Sequence, residues 1–136
     1  MIIDAKNQII GRMGSFAAKH ALLGEVVHIV NCEYAVITGK RKMILAEYQR
    51  KRAMGTFKGP FYSRLPDRFV RRTIRGMLPY KQPKGISAFK KIRCYVGIPE
   101  QLTGKTMVQV PTADISKLPS LNYLPVKEIC KNLGGK

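Results

Sequence analysis

Apolar and polar positions follow two rhythms along this chain, one suited to short strands and one to helices. Residues 1–4 (Met1, Ile2, Ile3, Asp4) predict a strand, and the polar run Lys6, Asn7, Gln8 predicts the turn after it. Over residues 11–23, Met13, Phe16, Ala17 and His20 recur at offsets of 0, 3, 4 and 7, which places them on one face of a helix, with Gly24 positioned to cap its end. Residues 26–30 form an almost unbroken apolar run between Gly24 and Asn31, the pattern of a strand covered on both faces in a parallel sheet. Residues 35–38, ahead of Gly39, predict a third strand.

The rhythm then becomes helical. Residues 42–53 put Ile44, Leu45 and Tyr48 on one side and set Glu47 four positions before Lys51. Residues 54–65 lose the pattern, mixing Gly55, Gly59 and Pro60 with basic and aromatic side chains, and predict an extended segment without a fold of its own away from a partner. Pro66 can open a helix because a first-turn amide has no intrahelical acceptor, and Asp67 suits the positive end of the helix dipole. That helix is expected to run to about Gly76, followed by a loop with Pro79 and Pro83, a short helix over 86–91 and a fourth strand over 92–96. A weaker strand signal lies at 107–110, and a last helix at 125–133. Strands separated by helical stretches indicate an α/β fold with a mostly parallel sheet, and 136 residues suit one domain.

Charge changes the picture more than composition does. The chain carries a formal net charge of +17. Residues 40–93 hold 17 basic residues against only Glu47 and Asp67, whereas the other 82 residues hold 8 basic and 6 acidic groups. A chain tuned only for solubility would intersperse both signs, so the middle segment points to a polyanionic partner. Seven of the 11 aromatic residues fall in the same window, and rings that stack on unpaired bases favour RNA over duplex DNA.

On the helix opened by Pro66, Arg68, Arg71, Arg72 and Arg75 fall at offsets of 0, 3, 4 and 7, while Val70 and Ile74 project from the other side. Four crowded guanidiniums repel one another unless anions arrive, and the planar arginine fork matches a phosphate with two parallel hydrogen bonds. The candidate RNA-binding residues are Lys40, Arg41, Lys42, Arg50, Arg52, Lys58, Arg64, Arg68, Arg71, Arg72, Arg75, Lys81, Lys84, Lys90 and Lys91. Short basic triplets such as Lys40-Arg41-Lys42 and Arg50-Lys51-Arg52 also occur on ordinary solvated surfaces.

Other chemistry is poorly supported. Thr38-Gly39-Lys40 resembles the tail of a phosphate-binding loop, but Tyr34 stands where the upstream glycine is required. Gly11 to Ser15 could receive an anion at a helix start, although close helix packing explains the same residues. His20 and His28 belong to no acid-and-nucleophile pattern, so no catalytic residue is expected. Cys32, Cys94 and Cys130 form no CxxC pair and have no histidines at ligand spacing, which argues for buried thiols rather than a metal site or disulfide framework. No apolar run approaches the roughly 18 residues that cross a bilayer, and the first residues lack a signal-peptide layout. The expectation is a cytoplasmic protein with no cofactor, no small-molecule substrate and no membrane partner.

Asp4-Ala5-Lys6, Gly11-Arg12-Met13, Ile37-Thr38-Gly39, the run Arg72-Thr73-Ile74-Arg75-Gly76-Met77-Leu78-Pro79, and Gly97-Ile98-Pro99 together resemble the universal large-subunit ribosomal protein thirteen family. The resemblance extends over residues 1–110. Lys84-Gly85 and Tyr95-Val96-Gly97-Ile98-Pro99 are closer to archaeal and eukaryotic members, and the ending at Lys136 lacks the long basic extension of the eukaryotic ones, favouring an archaeal type. The resemblance implies a three-layer α/β/α domain on a four-stranded parallel sheet of order 3-2-1-4. It also implies binding to large-subunit ribosomal RNA beside neighbouring ribosomal proteins, as a structural and assembly component without catalysis. It places RNA-facing arginines at Arg72 and Arg75, a tight turn at Gly76 and a stop at Pro79. Two alternatives remain at this stage: a free translational regulator that binds messenger RNA, and a small RNA-modifying enzyme.

Overall fold

A computed structural model describes residues 1–135. The first strand, β1 (Ile2–Asp4), leads through a turn into α1 (Ile10–Leu22). Helix α1 buries Met13, Gly14, Ala17, Ala18 and Ala21, so its inner face is the small-residue stripe, and the predicted Phe16 and His20 flank it half-buried. The end of α1 is closed as expected at Gly24, whose φ is +102°. Gly24 N–H donates to Ala21 O and Glu25 N–H to His20 O, both at 3.1 Å, which satisfies two terminal carbonyls.

Strand β2 (Val27–Val30) follows and pairs in parallel with β1, Ile3 lying opposite Ile29. After it come β3 (Val36–Thr38), α2 (Arg41–Ala53), α3 (Pro66–Arg75), α4 (Pro83–Lys91), β4 (Ile92–Cys94), β5 (Tyr123–Pro125) and α5 (Val126–Asn132). Pro83, expected in a loop, instead occupies the first turn of α4, where its missing amide is harmless. Segment 107–110 forms a single bridge, Val108 to Ile3 on the free edge of β1, rather than a strand.

The sheet corrects the expected order. Strand β2 is central, with β1 on one side and β4 on the other, both parallel to it. Strand β3 leaves this sheet and pairs antiparallel with β5, giving a three-stranded and a two-stranded sheet instead of one with four strands. The cause lies between β2 and β3: Asn31 adopts a left-handed φ of 56° and residues Cys32–Tyr34 form a 3-10 turn, which redirects the chain. The partner strand β5 carried no signal in the sequence, because only three residues pair and one is Pro125, placed where an edge strand tolerates it.

The layering also differs from three-layer expectation. Ile3, Val27, Ile29 and Ile92 join residues of all five helices in one apolar cluster. The opposite face of the parallel sheet carries Ile2 and Val30, covered by Leu102 with Tyr95 and Met107 from the chain after β4. Helices thus gather on one face, and loop segments close the other. Within the helical layer, a Cβ on Gly14 would lie 3.0 Å from Met77 Sδ and 3.3 Å from Ile74 Cγ1, so the absence of a side chain there lets α1 approach α3 closely. Packing therefore explains Gly14, whereas a Cβ on Gly11 would meet nothing within 4 Å. Gly76 has an ordinary helical φ of −63°, so the chain turns after α3 without needing left-handed backbone at that residue.

Candidate nucleic-acid interface

Helix α3 forms because Pro66 and Asp67 occupy its first turn and Phe69, Val70 and Ile74 find a core on one side. All three are fully buried. The arginines emerge on the other side as the spacing predicts: Arg68, Arg72 and Arg75 are exposed and Arg71 is half-buried.

Three of these side chains are held rather than free. Arg71 donates from Nε to Ile92 O at 3.1 Å and from Nη2 to Phe89 O at 3.4 Å, with its guanidinium 4.3 Å from the Phe89 ring centroid. Arg72 lies 4.1 Å from the Tyr62 centroid and Arg75 5.1 Å from that of Tyr80. From α2, Arg52 donates to Tyr62 O at 2.6 Å and sits 5.9 Å from the Phe61 ring. An aromatic face attracts a cation without neutralising it, so the guanidiniums are oriented while their charge stays available. Phe61, Ser63 and Phe89 combine with the four arginines to line an open groove of about 460 Å³.

Electrostatics distinguish this groove from the rest of the surface. The ion pairs among the described residues join Arg41 to Glu128, Arg50 and Lys51 to Glu47, and His20 to Glu25. None reaches Arg68, Arg71, Arg72 or Arg75, and Asp67 makes no ion pair with them. At Arg50 the hydrogen-bonded guanidinium holds the Glu47 carboxyl below its ordinary range, a sign of local neutralisation that the stripe lacks.

Segment 54–65 contains no helix or strand, as expected, but its far end is anchored. Tyr62 packs against Tyr48 of α2 and Phe69 of α3, with centroid distances of 5.8 and 5.7 Å, and Tyr48 meets Phe69 at 4.9 Å. Burial pushes the Tyr48 hydroxyl up to about 12 and raises that of Tyr62. Ahead of this anchor Phe57 stands 90% exposed.

The remaining predicted residues divide. Lys40, Lys42, Lys58, Lys81, Lys84 and Lys90 are exposed cations. Arg41 and Arg50 are engaged with carboxylates, Arg64 donates to Gly134 O at 3.3 Å, and Lys91 donates to Gly24 O at 3.1 Å beside the end of α1. The sequence reading overlooked Arg93. It lies between buried Ile92 and half-buried Cys94 on β4, and it lines a second concavity with Arg68, Arg71 and Lys90. Strand alternation could have found it, since a charged residue beside a buried one marks the outward position.

Residues 1–101 match the family model described as Ribosomal protein L13. The large ribosomal subunit protein uL13 of Methanococcoides burtonii is 43% identical over 136 residues, covering 99% of this chain and 98% of that protein. The uL13 proteins of Methanocaldococcus jannaschii and Haloarcula marismortui are 42% and 38% identical, covering 99% and 98% of this chain and 98% and 90% of their own lengths. With motifs, basic helix and near-full-length relatives in agreement, the chain belongs to the ribosomal protein L13 family, in its archaeal type.

Proposed function

We propose that this protein is a structural constituent of the large ribosomal subunit, binding and stabilising large-subunit ribosomal RNA and supporting subunit assembly. The observation that carries the reading is the groove on α3, where four arginines, three of them standing against aromatic rings, have no carboxylate partner among the described residues. Ribose-phosphate backbone supplies the missing counter-charge, and unpaired bases have exposed rings such as Phe57 and Phe61 on which to stack. In this reading the remaining sequence-identified cations, the exposed Lys40, Lys42, Lys58, Lys81, Lys84 and Lys90 among them, supply further phosphate contacts. Its role is binding rather than catalysis, its place is the cytoplasmic ribosome, and its neighbours there are RNA and other large-subunit proteins.

Sedimentation tests this directly. In cell extract the protein should migrate with large subunits and stay with them through a low-salt wash. Migration as a free protein at the top of the gradient would overturn the reading.

A further inference from the structure

The arginine groove does not end at α3. A second concavity, of about 370 Å³, shares Arg68 and Arg71 with it and continues past Lys90 to Arg93 and Tyr95, with Asp67 as its one carboxylate. Strand β4 is the edge of the parallel sheet, so this path rounds the edge and reaches the face opposite the helices. There Ile2, His28 and Arg93 share one row across the three strands, and Tyr95 follows two positions after Arg93 on the same face. The Tyr95 hydroxyl lies 3.2 Å from His28 Nδ1, and the two rings stack with centroids 5.9 Å apart.

Positive charge accumulates at this end as well. Lys105 is exposed close to Leu102, which covers this face, its backbone N–H donating to Leu102 O at 3.3 Å; burial depresses the His28 imidazole, and Arg93, the amino terminus and Lys105 depress it further, in that order. Asp4 lies on the same face and keeps its charge, its Oδ1 accepting from Asn31 Nδ2 at 2.9 Å and Lys6 N at 3.1 Å and its Oδ2 from Gln109 Nε2 at 3.4 Å, but it forms no ion pair with Arg93 or Lys105. His28 Nε2 has no protein partner among the described residues. The cluster therefore resembles the first groove: cations that make no ion pair among the described residues, beside a tyrosine face.

We infer that Arg93, Lys105, His28 and Tyr95 form a second RNA contact, continuous with the α3 groove, in which one stretch of ribose-phosphate backbone runs around the β4 edge to the outer face of the sheet. The inference rests on the RNA-binding reading above and extends it from one surface to two. Its consequence is mechanical. A backbone held on both faces of an edge strand clamps that strand, so RNA binding fixes β4 as well as α3.

The test compares two sets of variants of the full chain, using deproteinised large-subunit ribosomal RNA as the probe. Each phosphate contact contributes about 0.7 to 0.9 to the slope of log affinity against log salt. Arg93→Gln with Lys105→Gln should weaken binding several-fold and lower the slope by about 1.5, and both residues are exposed, so the fold should persist. In the wild-type protein, the His28 imidazole followed by NMR should titrate at higher pH with RNA bound than without it. An unchanged affinity and slope in this double variant, while Gln at the four α3 arginines weakens binding, overturns the second contact and leaves the first intact. If neither set changes binding, both readings fail.

Discussion

The Arg72 guanidinium sits 4.1 Å from the centre of the Tyr62 ring, and that ring is itself wedged against Tyr48 and Phe69. A residue from the irregular segment 54–65 thus serves as the platform for a cation on α3, linking loop, core and interface in one contact. Burying Tyr62 fixes the platform, and the platform limits the rotamers of an exposed arginine before any RNA arrives. Less side-chain entropy is then lost on binding.

Replacing Arg72 with Gln removes one oriented phosphate donor while leaving Val70 and Ile74 in the core. Titrations against large-subunit ribosomal RNA should show weaker binding and a salt slope reduced by about 1. Stability in urea should change by less than about 1 kcal/mol, as for other surface substitutions. A large loss of stability with unchanged RNA affinity would assign the residue a packing role instead.

Phe57 is 90% exposed, so its ring gains little from burial within the described residues. Stacking on a base is worth about 1 to 3 kcal/mol by alanine substitution. Phe57→Ala should therefore weaken RNA binding by about fivefold or more and leave thermal unfolding unchanged. Unaltered affinity would mean the ring touches no base.

Gly85 lies in the first turns of α4, where a Cβ would fall 2.0 Å from Pro79 O and 2.9 Å from Tyr80 N. Both obstacles are backbone, so the clash cannot be relieved by rotating a side chain. Gly85→Ala should destabilise the fold by about 1 to 3 kcal/mol, the usual range for overpacking, visible as a lower midpoint in chemical denaturation. A neutral outcome would show that the 79–85 turn shifts freely away from α4.

Tyr48 gives a pH signature. Its hydroxyl ionises near 10 when unfolded, whereas burial pushes it up to about 12 in the folded chain. Between those values the unfolded state has released a proton that the folded state retains, so stability should fall as pH rises from about 10 to 12. Below pH 10 both states are protonated and this contribution is fully present. Tyr48→Phe should flatten the decline measured by denaturation across that window. An identical slope in the variant would mean the hydroxyl reaches solvent.

Much of this was legible in the residues because local chemistry decided it. Gly24 closes α1, Pro66 opens α3, and the arginine spacing separates a charged face from Val70 and Ile74 without reference to the rest of the fold. The sheet order was not legible in that way. Strand β3 pairs with Tyr123–Pro125, and nothing in that short, proline-ended run advertises a partner about 85 residues away. The pairing depends on the left-handed turn at Asn31, a tertiary choice that periodicity does not record. Within the interface, the arginines were readable but their partners were not: Tyr62, Phe89 and Tyr80 come from three separate segments that only folding brings to α3. Arg41 reads as an interface cation from sequence, yet the fold brings Glu128 of α5 to pair with it, whereas the Glu47–Arg50 pair, three residues apart on α2, is local.

The central claim is that phosphates complete the charge of the α3 arginines, and the salt dependence of RNA binding measures it most directly. For the wild-type chain on large-subunit ribosomal RNA, 6 to 10 phosphate contacts imply a fall in affinity of roughly 10³ to 10⁵ between 50 and 200 mM salt. Changing Arg68, Arg71, Arg72 and Arg75 together to Gln should cut the slope by about 3 while the protein stays folded. A wild-type affinity that hardly responds to salt, or a quadruple variant with the wild-type slope, would contradict it.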